Sequence, residues 1–589
     1  MFLATTAIEQ FWDVSQTILF LGEWCRLYGQ KHVWSKLDHK VLPYHWDDRR
    51  KLYSDFLYLN RTYETYLPMI SNKLNEIHGV NRSIEYWRMI VGPWLSYFID
   101  ILYDRYSSIV DAAKFDSKIN TWIVSNPIQW IPNNFSGFID CFISDEYNLQ
   151  LYSQVIEFTG TIPYENRDIF FPPLQGQTRK GIKDMSKAVI KKLIRRGENV
   201  IPSRFNNIVF ISSYFNSLNL AKLRVSLCQF PFYLDHQLRD VEFETNLESR
   251  KQMHFKRGND DFERLLDRLI FLNIPKSYLE GYSGICHDSA KMFPRNPKVI
   301  CTATAYSANE GFKFWAAENM ERGAKLVICQ HGGHYGTGLF SGTEDHEIKI
   351  ASRYITWGWR GKENKNVIAL PAQKLIWVNK GHSKTNSRCI FWNLNGAPRY
   401  SYRLYSVPIG PQWEVYFRAQ IEFAKRLKSD VKKALLCRPY MKDYGWYVID
   451  RIKDEVGDIR FDLSRNAWRD QVDNAILAVE TTNMTTFLES MSANVPTIIF
   501  LQPEVWELRE DVQPNFDRLK EAGVYHIDVE SAAKKVNEIY DSPQSWWNQE
   551  DVQDARKEFC STFARTSDNW LVEWKTELVK MLESREPVA

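Results

Sequence analysis

The chain is 589 residues long, 44% hydrophobic and 25% charged, with 75 basic residues against 72 acidic ones. That length exceeds what one hydrophobic core usually supports, so two large domains are expected, with room for an added subdomain. The near-cancelling charge, with no block of one sign, excludes a dedicated polyanion-binding surface, and nucleic acid is not expected as a partner.

From the amino terminus, MFLATTAIEQFW has no basic n-region and carries Glu9 early, so it is not read as a signal peptide. Met1 to Ala7 and Thr17 to Gly22 read as short strands, the second ending in Gly22-Glu23-Trp24. From about Arg49 to Val110 apolar and aromatic residues recur three and four apart, which predicts helices. With Asp145 to Phe158 they form an expected helical insertion over about 49–160. A loop-rich stretch, Thr161 to Gly176, follows, and then the basic amphipathic run Lys180 to Arg196, a solvated helix face or a contact to a membrane surface.

An alternation then begins: strand Asn207 to Ser212, helices Ser217 to Cys228 and Phe262 to Leu272, strand Lys298 to Thr304, helix Glu310 to Glu321, strand Lys325 to Cys329, strand Tyr354 to Trp357. Residues 361–386 read as a join. Beyond it come strand Arg388 to Trp392, helix Gln412 to Leu427, strand Lys433 to Cys437, helix Tyr447 to Val456, strand Ala475 to Val479, helix Thr485 to Met491, strand Thr497 to Leu501, helix Pro514 to Ala522 and strand Val524 to Ile527. Strands separated by helices of this length predict parallel sheets, with the ligand crevice at the carboxyl ends of the strands. Two facing α/β lobes are implied, 1–375 and 376–589.

The nine cysteines form no C-x-x-C pair. Cys301, Cys329, Cys389 and Cys437 lie in or beside strand-like runs, the pattern of buried free thiols in a reducing compartment. No apolar run approaches the ~20 residues of a membrane span. The expected location is therefore cytoplasmic. Aromatic side chains, including 21 Trp, tilt the expectation weakly toward carbohydrate, whose rings stack on flat apolar faces.

Two stretches carry the chemistry. In Gln330-His331-Gly332-Gly333-His334-Tyr335-Gly336, glycines directly after a strand allow close backbone approach to a ligand, and His331 is the preferred contact. His331 and His334 sit three apart in a turn rather than on one helix face, so metal is not expected. In Glu480-Thr481-Thr482-Asn483-Met484-Thr485-Thr486, a strand enters a hydroxyl-rich turn that opens a helix. Its free N–H groups suit an anion, with Thr481, Thr482, Thr485 and Thr486 as phosphate donors and Glu489 as a ribose contact. A basic cluster comprises Lys384 and Arg388 before a strand, Arg399 and Arg403 after Asn393-Leu394-Asn395-Gly396, and Arg438; of these Lys384 and Arg438 are the phosphate candidates, Arg438 because a guanidinium just past a strand can grip two oxygens. Glu310, between a strand and a helix, is the leading carboxylate, as nucleophile or base, with Glu23 and Asp235 behind it.

TTNMTTFLESMSANVPTIIF, QPEVWELREDVQPNFDRL, QHGGHYG, YITWGW, LATTAIEQFW and FLGEWCRLY together resemble transferases encoded in bacterial O-antigen loci. More remotely the chain resembles GT-B glycosyltransferases that use CMP-activated 3-deoxy sugars, namely Kdo and nonulosonic acids of the pseudaminic and legionaminic type. The resemblance implies a GT-B-like fold of two Rossmann-like lobes around a cleft, metal-independent transfer without a cofactor beyond the nucleotide-sugar donor, and a glycan or lipid-linked glycan acceptor at the inner face of the inner membrane, with peripheral membrane association. Asn309-Glu310-Gly311-Phe312 is similar to the Glu-Asp-Gly-Phe of capsule Kdo transferases, with the carboxylate changed in type. Tyr440 stands where those enzymes carry His. A nucleoside diphosphate sugar, a polyol-phosphate donor and a non-catalytic nucleotide-sugar-binding scaffold are the alternatives.

Overall fold

The computed structural model describes residues 1–169, 202–230, 238, 241–376 and 389–584, less positions 127, 129, 362, 363, 465, 469, 470, 472 and 473. Lys384, Arg388, Asp235 and the basic run Lys180 to Arg196 lie outside the described residues.

Two parallel sheets dominate. The middle sheet has five strands in the order Val367–Ala369, Arg353–Thr356, Lys325–Cys329, Val299–Thr302, Ile208–Phe210. The C-terminal sheet has six, in the order Arg460–Phe461, Leu435–Arg438, Cys389–Asn393, Ala475–Glu480, Thr497–Phe500, Tyr525–His526. Every pairing in both is parallel. The inner strands are mostly apolar, with polar residues toward their ends, as expected where helices cover both faces. This is the α/β, GT-B-like arrangement of two Rossmann-like lobes. The register sets Asn393 beside both Arg438 and Glu480, so three polar side chains end at one level on the carboxyl edge.

The amino-terminal region is more than a helical insertion. Phe2–Ala4, Ile18–Phe20 and His39–Val41 form a parallel sheet, and Thr121–Val124 pairs in parallel with Tyr164–Arg167. Leu3 N donates to Asn120 O at 2.8 Å, and Thr121 Oγ1 donates to Leu3 O at 2.7 Å, joining the two pieces edge to edge. The long helices Arg49–His78 and Gly92–Phe115 belong to this third unit. Asp48 caps the first of them and Gly79, at φ 62°, ends it in the left-handed conformation.

Two further differences concern boundaries. The expected join over 361–386 contributes strand Val367–Ala369, the edge of the middle sheet. The last helix, Trp570–Glu583, packs Trp574, Leu578 and Met581 against that same sheet, and Trp574 Nε1 donates to Pro371 O at 2.9 Å. Helix Trp570–Glu583 thus returns to the middle lobe. Cys301, Cys329 and Cys437 are buried free thiols, Cys389 is half-buried, and Cys228 is exposed. Among the described residues no helix is long and apolar enough to cross a membrane.

Arg105 fastens the first unit to the last. It is fully buried, pairs with Asp104, donates to Asn148 Oδ1 at 2.9 and 2.8 Å, and reaches the carbonyl of Ser401 at 3.0 Å. Removing one partner of a buried pair strands the other charge. Arg105→Ala should lower stability by about 3–5 kcal/mol, read as a shifted chemical-denaturation midpoint. Asp104→Asn/Arg105→Met should recover a large part of that loss.

Candidate functional site

The carboxyl edges of the two large sheets meet through their turns. A Cβ on Gly333 would lie 2.3 Å from the carbonyl carbon of Met484 and 2.6 Å from Thr485 N, so the QHGGHYG turn touches the start of helix Thr485–Ser492 at a distance only glycine permits. Asn483 Nδ2 donates to Thr337 Oγ1 at 2.8 Å beside this contact, and Lys374 Nζ lies 3.7 Å from Glu489 Oε1. Of the residues expected to flank one cleft from opposite lobes, Gly333 and Thr485 are therefore brought together, with Glu489 in reach of Lys374, while Gly332 lies against His334 and Tyr335 and Thr486 bonds Glu480 within its own lobe.

His331 is the group of the turn best placed to act. It follows strand Lys325–Cys329 directly, and its side chain is 23% exposed. Its Nδ1 lies 3.1 Å from Glu347 Oε1, an ion-pair distance without the alignment of a full hydrogen bond. Glu347, on helix Gly342–Ile350, is completely buried, and its Oε1 accepts from the hydroxyls of Tyr306 and Tyr335, the latter at 3.2 Å. Tyr214, 37% exposed after strand Ile208–Phe210, sets its ring edge-on to His331 at 6.2 Å. A half-open imidazole held by a buried carboxylate can take a proton, and the carboxylate stabilises the imidazolium that results.

Other expected site residues have different work. Glu310, the leading carboxylate of the sequence reading, is corrected. It is buried, accepts from Phe135 N at 2.9 Å and Tyr278 OH at 3.0 Å, and pairs with the fully buried Lys313 at 2.9 Å. A carboxylate in that interior pair anchors the amino-terminal helices and is not free to meet substrate. Burial pulls the Lys313 ammonium below its usual range, against the opposing pull of Glu310. Gln330 is wholly enclosed: its Oε1 accepts from Trp357 N and Trp359 Nε1, both at 2.9 Å, and its Nε2 donates to Gly332 O at 2.8 Å, so it shapes the turn instead of touching donor. Thr481 donates inward to Asn393 O at 2.7 Å and meets Tyr416 OH at 2.6 Å, and Thr482 is buried. Arg438 donates from Nη2 to the carbonyl of Asn466, and its buried Nη1 lies 3.7 Å from Asp462 Oδ2 with no hydrogen bond of its own. Glu23 pairs with Arg26. His334 is buried, and desolvation holds its pKa well below the ordinary imidazole value. Among the described residues no three His, Cys, Asp or Glu side chains group as a metal site.

Glu480, last residue of its strand, went unremarked as a titrating group. It is fully buried, and its Oε1 accepts from Asn393 Nδ2 at 2.8 Å and Ser490 Oγ at 2.7 Å. Burial pushes its pKa up to about 7, and bonds from Ser490, Asn393 and Thr486 oppose the rise. A folded-state pKa above the unfolded 4.5 means that the folded protein binds the proton more tightly. This group's stabilising contribution is therefore complete below about pH 4.5 and is lost as pH rises through about 7, on the order of 3 kcal/mol. Glu480→Gln should flatten the stability–pH curve between those values, as measured by chemical denaturation at a series of pH. Gly333→Ala should leave the circular dichroism spectrum intact yet lower stability by about 1–3 kcal/mol in chemical denaturation, because the new methyl must push the two turns apart.

Comparison with known proteins bears on the whole chain. No curated protein matches it in sequence. Among solved structures it is similar to S. aureus TarM, a complex with fondaparinux, alpha-GlcNAc-glycerol and UDP, at 12% identity over 51% of this chain and 58% of that one, with a TM-score of 0.34. The match thus spans less than two thirds of TarM. The Thermobaculum terrenum O-GlcNAc transferase aligns over 84% of this chain and 90% of its own at 10% identity and a TM-score of 0.34. Acinetobacter baumannii MurG aligns over 63% and 99% at 10% identity and a TM-score of 0.30. The model of the LIC12162 family transferases matches residues 1–578, and the chain belongs to that family of transferases.

Proposed function

We propose that this transferase is a glycosyltransferase of bacterial surface polysaccharide assembly, moving a sugar from a nucleotide-activated donor to a glycan or lipid-linked glycan acceptor. The observation that carries the reading is the pairing of half-exposed His331 with fully buried Glu347, directly beside the helix start that Gly333 touches. On one side lies a base with its orienting carboxylate, on the other a helix amino terminus suited to a phosphate. The nucleotide is proposed to sit at the carboxyl edge of the C-terminal sheet, over Thr485 and Thr486, with Glu489 on its ribose.

In the proposed step the acceptor hydroxyl gives its proton to His331 Nε2 while its oxygen bonds to the anomeric carbon. The bond from that carbon to the donor phosphate oxygen breaks, and the nucleotide leaves with the electron pair. Glu347 offsets the positive charge that forms on the imidazole. This assigns His331 the part first expected of Glu310. The donor we propose is CMP-linked and carries a Kdo-like or nonulosonic acid, on the strength of the resemblance carried by TTNMTTFLESMSANVPTIIF and QHGGHYG. No cofactor beyond the donor is proposed.

Thermal-shift titration with CMP, UDP, GDP and CDP tests the donor: stabilisation by CMP alone is expected, and a response confined to a nucleoside diphosphate moves the donor to that class. For the chemistry, His331→Ala should lower kcat about 100- to 10,000-fold with KM for the donor little changed. Glu347→Gln should lower kcat in the same direction and shift the pH–rate profile. Full activity of His331→Ala on the true donor and acceptor would remove His331 from the reaction.

A further inference from the structure

Most buried or half-buried arginines of this chain hold a carboxylate. Arg49 pairs with Glu507, Arg88 with Glu64, Arg250 with Glu280 and Arg399 with Asp145. Arg403 does not. It is half-buried, on the crossing segment just before the bridge that joins Tyr405 to Ser341. Its Nη1 makes one long contact, 3.4 Å, to Thr343 Oγ1, and its buried Nε has no partner. Its guanidinium lies over the rings of Tyr405 at 4.4 Å and Tyr402 at 5.2 Å. Its charged and titratable neighbours are the phenols of Tyr97, Tyr335, Tyr402 and Tyr405, with His334 and Tyr444 beside them, and no carboxylate pairs with it among the described residues.

These neighbours come from all three units: Tyr97 from helix Gly92–Phe115, Tyr335 and His334 from the QHGGHYG turn, and Tyr402, Tyr405 and Tyr444 from the C-terminal lobe. Aromatic faces tolerate a guanidinium without neutralising it. A positive charge drawn out of water with no counter-charge is unfavourable, and it persists where an arriving anion completes it. The neighbouring tyrosines can donate hydroxyls to the same anion, and their rings can face a sugar. Arg403 also shares Tyr335 with the His331–Glu347 pair, since that phenol bonds Glu347 and lies 3.4 Å from His331 Nε2.

We infer that Arg403, within its ring of tyrosines, is the oxyanion-holding residue of the cleft, gripping a carboxylate or phosphate oxygen pair of the donor. The inference rests on the cleft proposed above and deepens it. The ligand chemistry is a planar or tetrahedral oxyanion taken by the two-pronged guanidinium edge, and its source is either the nucleotide phosphate or the acid group of the sugar.

The test uses the full chain as wild type, Arg403→Gln, Arg403→Lys and Arg403→Met, titrated with inorganic pyrophosphate, CMP and CMP-N-acetylneuraminate by thermal shift and calorimetry. Binding at least 10-fold weaker in Arg403→Gln, with a smaller loss in Arg403→Lys, is expected. If pyrophosphate and CMP weaken, the oxyanion is the phosphate. If only CMP-N-acetylneuraminate weakens, it is the sugar carboxylate. Without ligand, Arg403→Met should melt at or above the wild-type temperature, because it removes an uncompensated charge; an arginine with a merely structural role would melt lower when replaced. Equal affinities in wild type and Arg403→Gln, no response of the wild type to any of the three probes, or a lower ligand-free melting temperature for Arg403→Met would overturn the inference. A pyrophosphate response without any preference for nucleotide would leave the anion site standing and remove the donor reading instead.

Discussion

The backbone contact between Gly333 and Met484–Thr485 is the constraint on which the cleft depends. Two parallel sheets, each closed by its own helices, have no inherent reason to face one another at their carboxyl edges. Here the absence of a side chain at Gly333 lets the backbone of one lobe rest on the helix start of the other, at a distance no Cβ could share. Asn483 and Thr337 lock the position with a hydrogen bond inside the contact. The proposed cleft has His331 on one side of this contact and Thr485 and Thr486 on the other.

Around that contact the polar groups are sorted by what they can still bind. Gln330 and Thr481 have their hydrogen bonds filled by protein and hold the turns in shape. Glu310 and Lys313 form a fully internal pair that fixes the amino-terminal helices to the middle lobe. His331 and Arg403 each keep a buried nitrogen without a hydrogen bond, one beside a carboxylate and the other among tyrosines. In the reaction proposed above, a base with its orienting acid and a cation with no paired carboxylate among the described residues would be complementary parts, one taking the proton while the other meets the departing anion.

The two large sheets were legible because their strands are unbroken apolar runs: KLVIC, AILAVE and TIIF can only be buried. In the amino-terminal unit Phe2–Ala4 and Ile18–Phe20 were legible as the short apolar runs Met1 to Ala7 and Thr17 to Gly22, whereas His39–Val41 and Tyr164–Arg167 were not, since they are three or four residues long and none of their residues is buried. The turn glycines were legible for the same reason that they matter, lying directly after a strand. Glu310 misled because a carboxylate between strand and helix looks the same in sequence whether it faces a crevice or an interior lysine. Glu347 was missed because GTEDHEIKI reads as a solvated helix, and only packing against Tyr306, Tyr335 and His331 reveals its burial. Family membership reaches transfer chemistry, while the role of each side chain has to be read from its partners.

The most direct test of the account is an experimental structure of the protein with a bound nucleotide. The account predicts nucleotide density at the carboxyl edge of the C-terminal sheet, its phosphate against the helix start at Thr485 or the guanidinium of Arg403, and the His331 ring facing the adjoining space. A nucleotide bound away from both the Gly333–Thr485 contact and Arg403, with His331 remote from it, would contradict the account.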